Sequence, residues 1–205
     1  MASLGRYTNF ITSLYARTAA RYLSKKRSKA VLPWLKGDVL DIGCGQESSL
    51  ADLLAKEQHY VGVDIQEDAI RKLKETKPQH EFYCIDVEKD GKLLETLRSQ
   101  FDTIVLLAVV EHLKQPERLL NQCGALLKPE GHLVITTPTS QGDKFIRTFK
   151  KLLGVKHEEQ ENYSPHLTNF TEKSLHNLLT SQSEFKILAY KKFEFGFNQL
   201  VVASK

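Results

Sequence analysis

Five short apolar runs, at residues 39–42, 60–63, 82–85, 103–107 and 133–136, punctuate the middle of the chain. They are continuous and rich in β-branched residues rather than alternating with polar ones, the pattern of strands buried on both faces. Between them, residues 48–56, 67–76, 91–99 and 116–127 have helical composition and spacing. Strand and helix in alternation predict a parallel sheet with right-handed crossovers, a doubly wound α/β architecture. Ahead of this block, Tyr7, Phe10, Ile11, Leu14, Tyr15, Tyr22 and Leu23 recur at spacings of three and four. They predict an amphipathic helix over about residues 6–30, ended by Pro33. Beyond Pro138 the alternation stops. A helix over residues 144–153 leads into a polar loop carrying His157, Tyr163 and His166, and a helix over 172–179 follows. Two final runs, at 185–190 and 200–203, flank Gly196 and Asn198 and read as an antiparallel hairpin.

The segment Val39-Leu40-Asp41-Ile42-Gly43-Cys44-Gly45-Gln46 carries the most chemistry. An apolar strand runs into two glycines around one residue, with a helix expected from near Ser48. Glycine lets the chain turn sharply and lets a ligand approach the backbone with no Cβ between. The N–H groups of a following helix N-terminus favour a carboxylate. Asp41 just before the turn would repel a pyrophosphate but suits an ammonium. A ligand bearing both groups is an amino acid. A dinucleotide fingerprint would place a third glycine where this chain has Ser48, which speaks against a nicotinamide dehydrogenase. Asp64 closes the second run, 23 residues after Asp41, where an acid can accept from ribose hydroxyls. Asp86 closes the third and could accept from an adenine amino group. One acid at a strand end is commonplace; three at consecutive carboxyl ends line the crevice where such sheets bind ligands.

On VLDIGCG, YVGVD, CID, FDTIVLLAVVEHLKQPERLL and LLKPEGHLVITTP, the chain resembles the class I S-adenosylmethionine-dependent methyltransferases, most of all the branch that includes the ubiquinone-biosynthesis type. The resemblance covers about residues 35–205. It implies a Rossmann-like, mostly parallel seven-stranded sheet closed by an antiparallel C-terminal hairpin. It implies S-adenosylmethionine as cofactor and S-adenosylhomocysteine as product. Asp41, Gly43, Cys44 and Gly45 would surround the methionine part, Asp64 and Ile65 the ribose side, Asp86 and Val87 the adenine, and Leu107 or Ala108 would present backbone near the sulfonium. Two departures stand out. Glu47 replaces a third glycine that many relatives carry. Relatives that bind a divalent ion have Glu-x-x-Glu-His after the fourth strand, and here the first carboxylate is replaced by Ala108. No metal is expected, although Glu111 and His112, with His166 from the later loop, retain part of such a set. His112 and His166 are the candidate general bases for a hydroxyl acceptor. Against this stand a local hydrogen-bonding role for His112 and a solvated one for His166.

Composition narrows the setting. A chain of 205 residues with 41% hydrophobic and 26% charged residues fits one domain. Residues 1–35 are expected to form a helical extension over the pocket and residues 36–205 the methyltransferase domain, with a lid-like insert at about 141–170. No apolar run reaches the length of a membrane span, and the three scattered cysteines, Cys44, Cys84 and Cys123, suit a reducing cytoplasm. The net charge of +4 is concentrated in Arg17, Arg21, Lys25, Lys26, Arg27 and Lys29, with no acid among them. That run reads either as a solvated helix face or as a patch for anionic lipid or nucleic acid. The expected function is methyl transfer to an O, N or C atom of a small molecule. The alternatives are an RNA or other nucleic-acid methyltransferase and a non-catalytic S-adenosylmethionine-binding protein.

Overall fold

The computed structural model describes residues 18, 21–55, 57–89, 96–97, 100–152, 166–181 and 185–205. Helix α1 occupies residues 21–31 and ends in a 3-10 turn, Leu32–Trp34, that contains Pro33. The N-terminal part of the expected helix lies outside the described residues, as do most of 91–99 and the loop carrying His157 and Tyr163. Strands β1 (Val39–Ile42), β2 (Tyr60–Asp64), β3 (Glu81–Cys84) and β4 (Phe101–Leu107) are parallel neighbours. Between them runs α2 (Glu67–Thr76). Helix α3 (Pro116–Leu126) leads into β5 (Leu127–Pro138), α4 (Ser140–Leu152) and α5 (Glu172–Thr180), and the chain closes through β6 (Lys186–Phe193) and β7 (Asn198–Ser204).

The seven strands lie in the order β3-β2-β1-β4-β5-β7-β6, with β7 antiparallel to both β5 and β6. The sheet is therefore α/β and mostly parallel, closed by a hairpin, as expected. The chain order reverses between β1 and β4, and the crevice outside the carboxyl ends at that switch is where such sheets take ligands. Every residue of β1 and β2 is buried, in keeping with their unbroken apolar runs. Helix α2 keeps Glu67 and Asp68 in its first turn and Lys74 in its last, matching the helix dipole, and buries Ala69, Ile70 and Leu73 on one stripe. Pro116 opens α3, where its missing N–H costs nothing. Thr171 caps α5 in a reciprocal box with Ser174. One apolar cluster, including Ile42, Val63, Ile104 and Leu120, and a second, including Val39, Leu50, Tyr60 and Val134, sandwich the sheet.

One element departs from expectation. The helix expected over residues 48–56 is not found: residues 48–55 form no α-helix, and turns lead to a 3-10 turn at Ala51–Leu53. Ser48 adopts a left-handed φ of 45°, and its hydroxyl meets the buried Tyr60 Oη at 2.7 Å. A serine held that way competes with a helical start. The turn that follows the glycines thus lacks the aligned peptide dipoles of an α-helix.

Helix α1 lies across this turn. Arg21 pairs with Glu47, Ser24 Oγ donates to Ser49 Oγ at 3.2 Å, and Arg27 Nε donates to Asn198 Oδ1 of β7 at 3.3 Å. Ser28 and Val31 are buried beneath it.

Candidate functional site

The glycine turn leaves β1 with Gly43 N and Cys44 N both donating to Val63 O, at 2.7 and 3.0 Å. Gly43 has φ 77°, and a Cβ there would stand 2.4 Å from Val109 Cγ2. Gly45 has φ 69°, yet a Cβ there would meet nothing within 4 Å. One glycine is thus required by packing, while the other keeps an open face. Gly45 N donates to Asp64 Oδ2 at 2.8 Å, and Gln66 N donates to Asp64 Oδ1 at 3.0 Å. Each oxygen keeps a further lone pair. Ile65, next along, is 59% exposed, an unusual setting for an isoleucine at the lip of a crevice.

Asp41 sits behind the turn rather than on its open side. It is buried, and its Oδ2 accepts from Tyr60 Oη at 2.7 Å, while Oδ1 has no partner among the described residues. Burial pushes its pKa up to about 7, against the Tyr60 hydrogen bond and with help from Asp64. Asp86 Oδ1 accepts from Glu88 N at 3.1 Å and Lys89 N at 3.3 Å, so it shapes the turn after β3. A recess beside Asp86 and Val87 is lined also by Leu113, Arg118 and Leu119. At the end of β4, Ala108 takes a φ of 60°, and its N–H donates to Thr136 O at 2.8 Å. A non-glycine residue in that region stores strain, a feature that gathers at functional sites. Leu107 precedes it, partly buried.

The chain then makes a 3-10 turn, Val110–His112. Glu111 is buried, and neither of its carboxylate oxygens has a partner in good geometry among the described residues. Burial raises its pKa to about 7, opposed mainly by backbone hydrogen bonding, Arg27 and Thr137. Its carbonyl accepts from Leu167 N at 2.8 Å and Thr168 N at 3.2 Å, which docks the later loop here. The rings of His112 and His166 consequently meet edge to face, with centroids 4.8 Å apart. The sequence separates them by 54 positions; the fold brings them together. His166 Nδ1 lies 2.6 Å from Asp143 Oδ1, and Arg147 Nη2 donates to Asp143 Oδ2 at 2.7 Å. One ligand atom each from Glu111, His112 and His166 fits within 4.8 Å of the others.

Sequence reasoning did not single out Asp143, Tyr60 or Arg27. Asp143 falls just ahead of the helix expected over 144–153, and Arg27 was counted within a basic run. Nothing local marks either of them; their partners come from elements far away along the chain.

A doubly wound sheet with its switch at β1 and β4, an open-faced glycine turn there, and acids at the ends of three successive strands defines a nucleotide-cofactor α/β domain. Residues 8–190 match a family model described as a methyltransferase domain, and the chain belongs to that family. The ubiquinone biosynthesis O-methyltransferase of Coxiella burnetii is 37% identical over 109 residues, covering 50% of this chain and 44% of that protein. The mitochondrial protein of the same name from Saccharomyces cerevisiae is 32% identical over 103 residues, 48% of this chain and 33% of that one. The chain thus spans less than half the length of these curated relatives. Among solved structures, magnesium protoporphyrin IX methyltransferase from Synechocystis PCC 6803, with bound SAH, superposes with a TM-score of 0.64 at 18% identity, covering 90% of this chain and 84% of that chain. The N-methyltransferase NodS from Bradyrhizobium japonicum, in complex with S-adenosyl-l-homocysteine, gives 0.62 at 16%, covering 90% and 86%. At such identities these two speak for the fold.

Proposed function

We propose that the chain transfers a methyl group from S-adenosylmethionine to an O, N or C atom of a small-molecule acceptor, releasing S-adenosylhomocysteine. The observation that carries this is Gly45, whose N–H is held by Asp64 while its outer face stays open. In this reading Gly43, Cys44 and Gly45 border the methionine part, with Asp41 behind them. Asp64 accepts from the ribose, and the exposed Ile65 covers one face of the purine. Asp86 and Val87 lie at the adenine edge, and Leu107 and Ala108 offer backbone toward the sulfur. The cofactor supplies an electrophilic methyl on a sulfonium. The chain's own task is alignment of the acceptor, which in general can contribute up to roughly 7–11 kcal/mol.

His166 suits a general base. Donation of Nδ1–H to the buried Asp143 leaves Nε2 as the proton acceptor, and His112 packs against the same ring. The Glu111–His112–His166 cluster supports a second reading, in which these three clasp a divalent cation, with Asp143 orienting His166 from behind. Chelator treatment followed by cation titration separates the two.

A small-molecule acceptor is favoured over nucleic acid because two cations of the basic run are already engaged by other parts of the chain, Arg21 by Glu47 at the surface and Arg27 by Asn198. The exposed Lys25, Lys26 and Lys29 remain for a peripheral contact with an anionic surface. Cytoplasmic placement is supported by Cys44 and Cys123, two buried thiols outside any disulfide. No helix among the described residues is long and apolar enough to cross a membrane. Calorimetric titration with S-adenosylhomocysteine tests the whole assignment: micromolar binding is expected, and its absence removes it.

A further inference from the structure

Arg27 is half-buried, yet it has no ionic partner in contact among the described residues. Its Nε is tethered to Asn198 Oδ1 at 3.3 Å, and Asn198 is itself buried at the start of β7. No carboxylate among the described residues comes within 4.0 Å of its guanidinium, although the charges of Glu111 and Glu194 act on it from further away. Its two terminal nitrogens have no acceptor among the described residues, and they are not sealed off as buried unpartnered atoms. A guanidinium partly withdrawn from bulk water with its outer donors unpaired favours an anion that completes them. With Nε fixed, the two outer N–H groups form the planar fork that matches an oxyacid in bidentate fashion.

Position adds to chemistry. Helix α1 is pinned to the glycine turn through Arg21–Glu47 and Ser24–Ser49, and to β7 through Arg27 itself. Arg27 therefore stands over the start of β7, which pairs with the carboxyl end of β5 at Pro138, and near the turn after β4 that carries Glu111. The nearby Glu111 follows Val109, the residue packed on Gly43. The other acids in the neighbourhood are accounted for: Asp143 by Arg147 and His166, and Glu194 by Asn198. With several carboxyl groups this close, one negative charge can be accommodated and two would be repelled.

We propose that Arg27 anchors a carboxylate carried by the methyl acceptor, so that the acceptor is a monoanionic carboxylic acid held between α1, the turn after β4 and the start of β7. The proposal rests on the methyltransferase reading above and narrows its substrate class.

The test is binding of benzoate and of benzamide, its neutral counterpart, to the full chain saturated with S-adenosylhomocysteine, followed by calorimetry and by the NMR signals of the Arg27 guanidinium. Benzoate is expected to bind at least about tenfold more tightly than benzamide and to shift those signals, a ratio near 1.4 kcal/mol. Arg27→Gln should abolish the preference and Arg27→Lys should keep only part of it, since the charge remains without the fork. Thermal unfolding and S-adenosylhomocysteine binding verify that each variant is folded, and the benzoate–benzamide comparison on the unaltered chain needs no variant. Equal affinity of the two probes, no binding of benzoate, or a preference that survives Arg27→Gln overturns the proposal. Tighter binding of phenyl phosphate than of benzoate overturns the carboxylate assignment. Failure of the underlying function shows separately, as no binding of S-adenosylhomocysteine.

Discussion

Gly43 and Gly45 share a left-handed backbone but differ in what surrounds them, so their alanine variants should fail in different ways. Gly43→Ala combines an unfavourable φ with a Cβ driven against Val109, and its cost should be about 2–4 kcal/mol of stability, read as a lowered unfolding temperature. Gly45→Ala meets open space, so only the backbone strain of about 1 kcal/mol falls on stability. Its main effect should be on S-adenosylhomocysteine affinity, because the new methyl occupies the face expected to meet the ligand. A calorimetric comparison of the two variants checks both halves. Asp64→Ala removes an acceptor that also holds Gly45 N, and it should weaken cofactor binding by about 1–3 kcal/mol. Unchanged affinity would take Asp64 out of the site.

At the scale of elements, the capping box of α5 offers a clean measurement. Thr171→Ala should cost about 1 kcal/mol in chemical denaturation, with no change in S-adenosylhomocysteine affinity, since Leu175, Leu178 and Leu179 still seat the helix. What the sequence made legible follows the same division between local and distant causes. Strands β1 and β2 and helix α2 could be read directly, because continuous β-branched runs and a three-to-four spacing are local signals. The glycine turn and the acids Asp41, Asp64 and Asp86 were legible because each lies at or beside the carboxyl end of a strand. Residues 48–56 misled, since their spacing suits a helix while Ser48 answers to Tyr60 on a neighbouring strand. The placement of Asp41 behind the turn was hidden for the same reason: its partner is that tyrosine. Arg27 lay within a helix whose polar residues all looked alike, and only Asn198, 171 positions away, turns it inward. His112 and His166 were each nameable, but their contact depends on a loop hung from the carbonyl of Glu111.

For the whole molecule, the buried acid beneath the glycine turn links stability to pH. Asp41 has its pKa raised to about 7 in the fold, above its ordinary value of 3.8, so the folded chain holds a proton that the unfolded chain has lost. That contribution is complete below about 4 and fades as pH rises through about 7. Unfolding temperature should therefore fall between these limits, and Asp41→Asn should flatten the slope; an unaltered profile would mean that Asp41 is ionised throughout. The order of the sheet has a consequence of another kind. Strand β7, which follows β6 in the chain, lies between β5 and β6 and hydrogen-bonds to both, so β6 has no seat in the sheet until β7 arrives. During synthesis the emerging chain must wait with the flank of β5 bare, a stretch including Val134 and Ile135 that would welcome any foreign strand. The hazardous moment for this protein is thus on the ribosome, and chaperone dependence should ease abruptly once residues 198–204 have emerged.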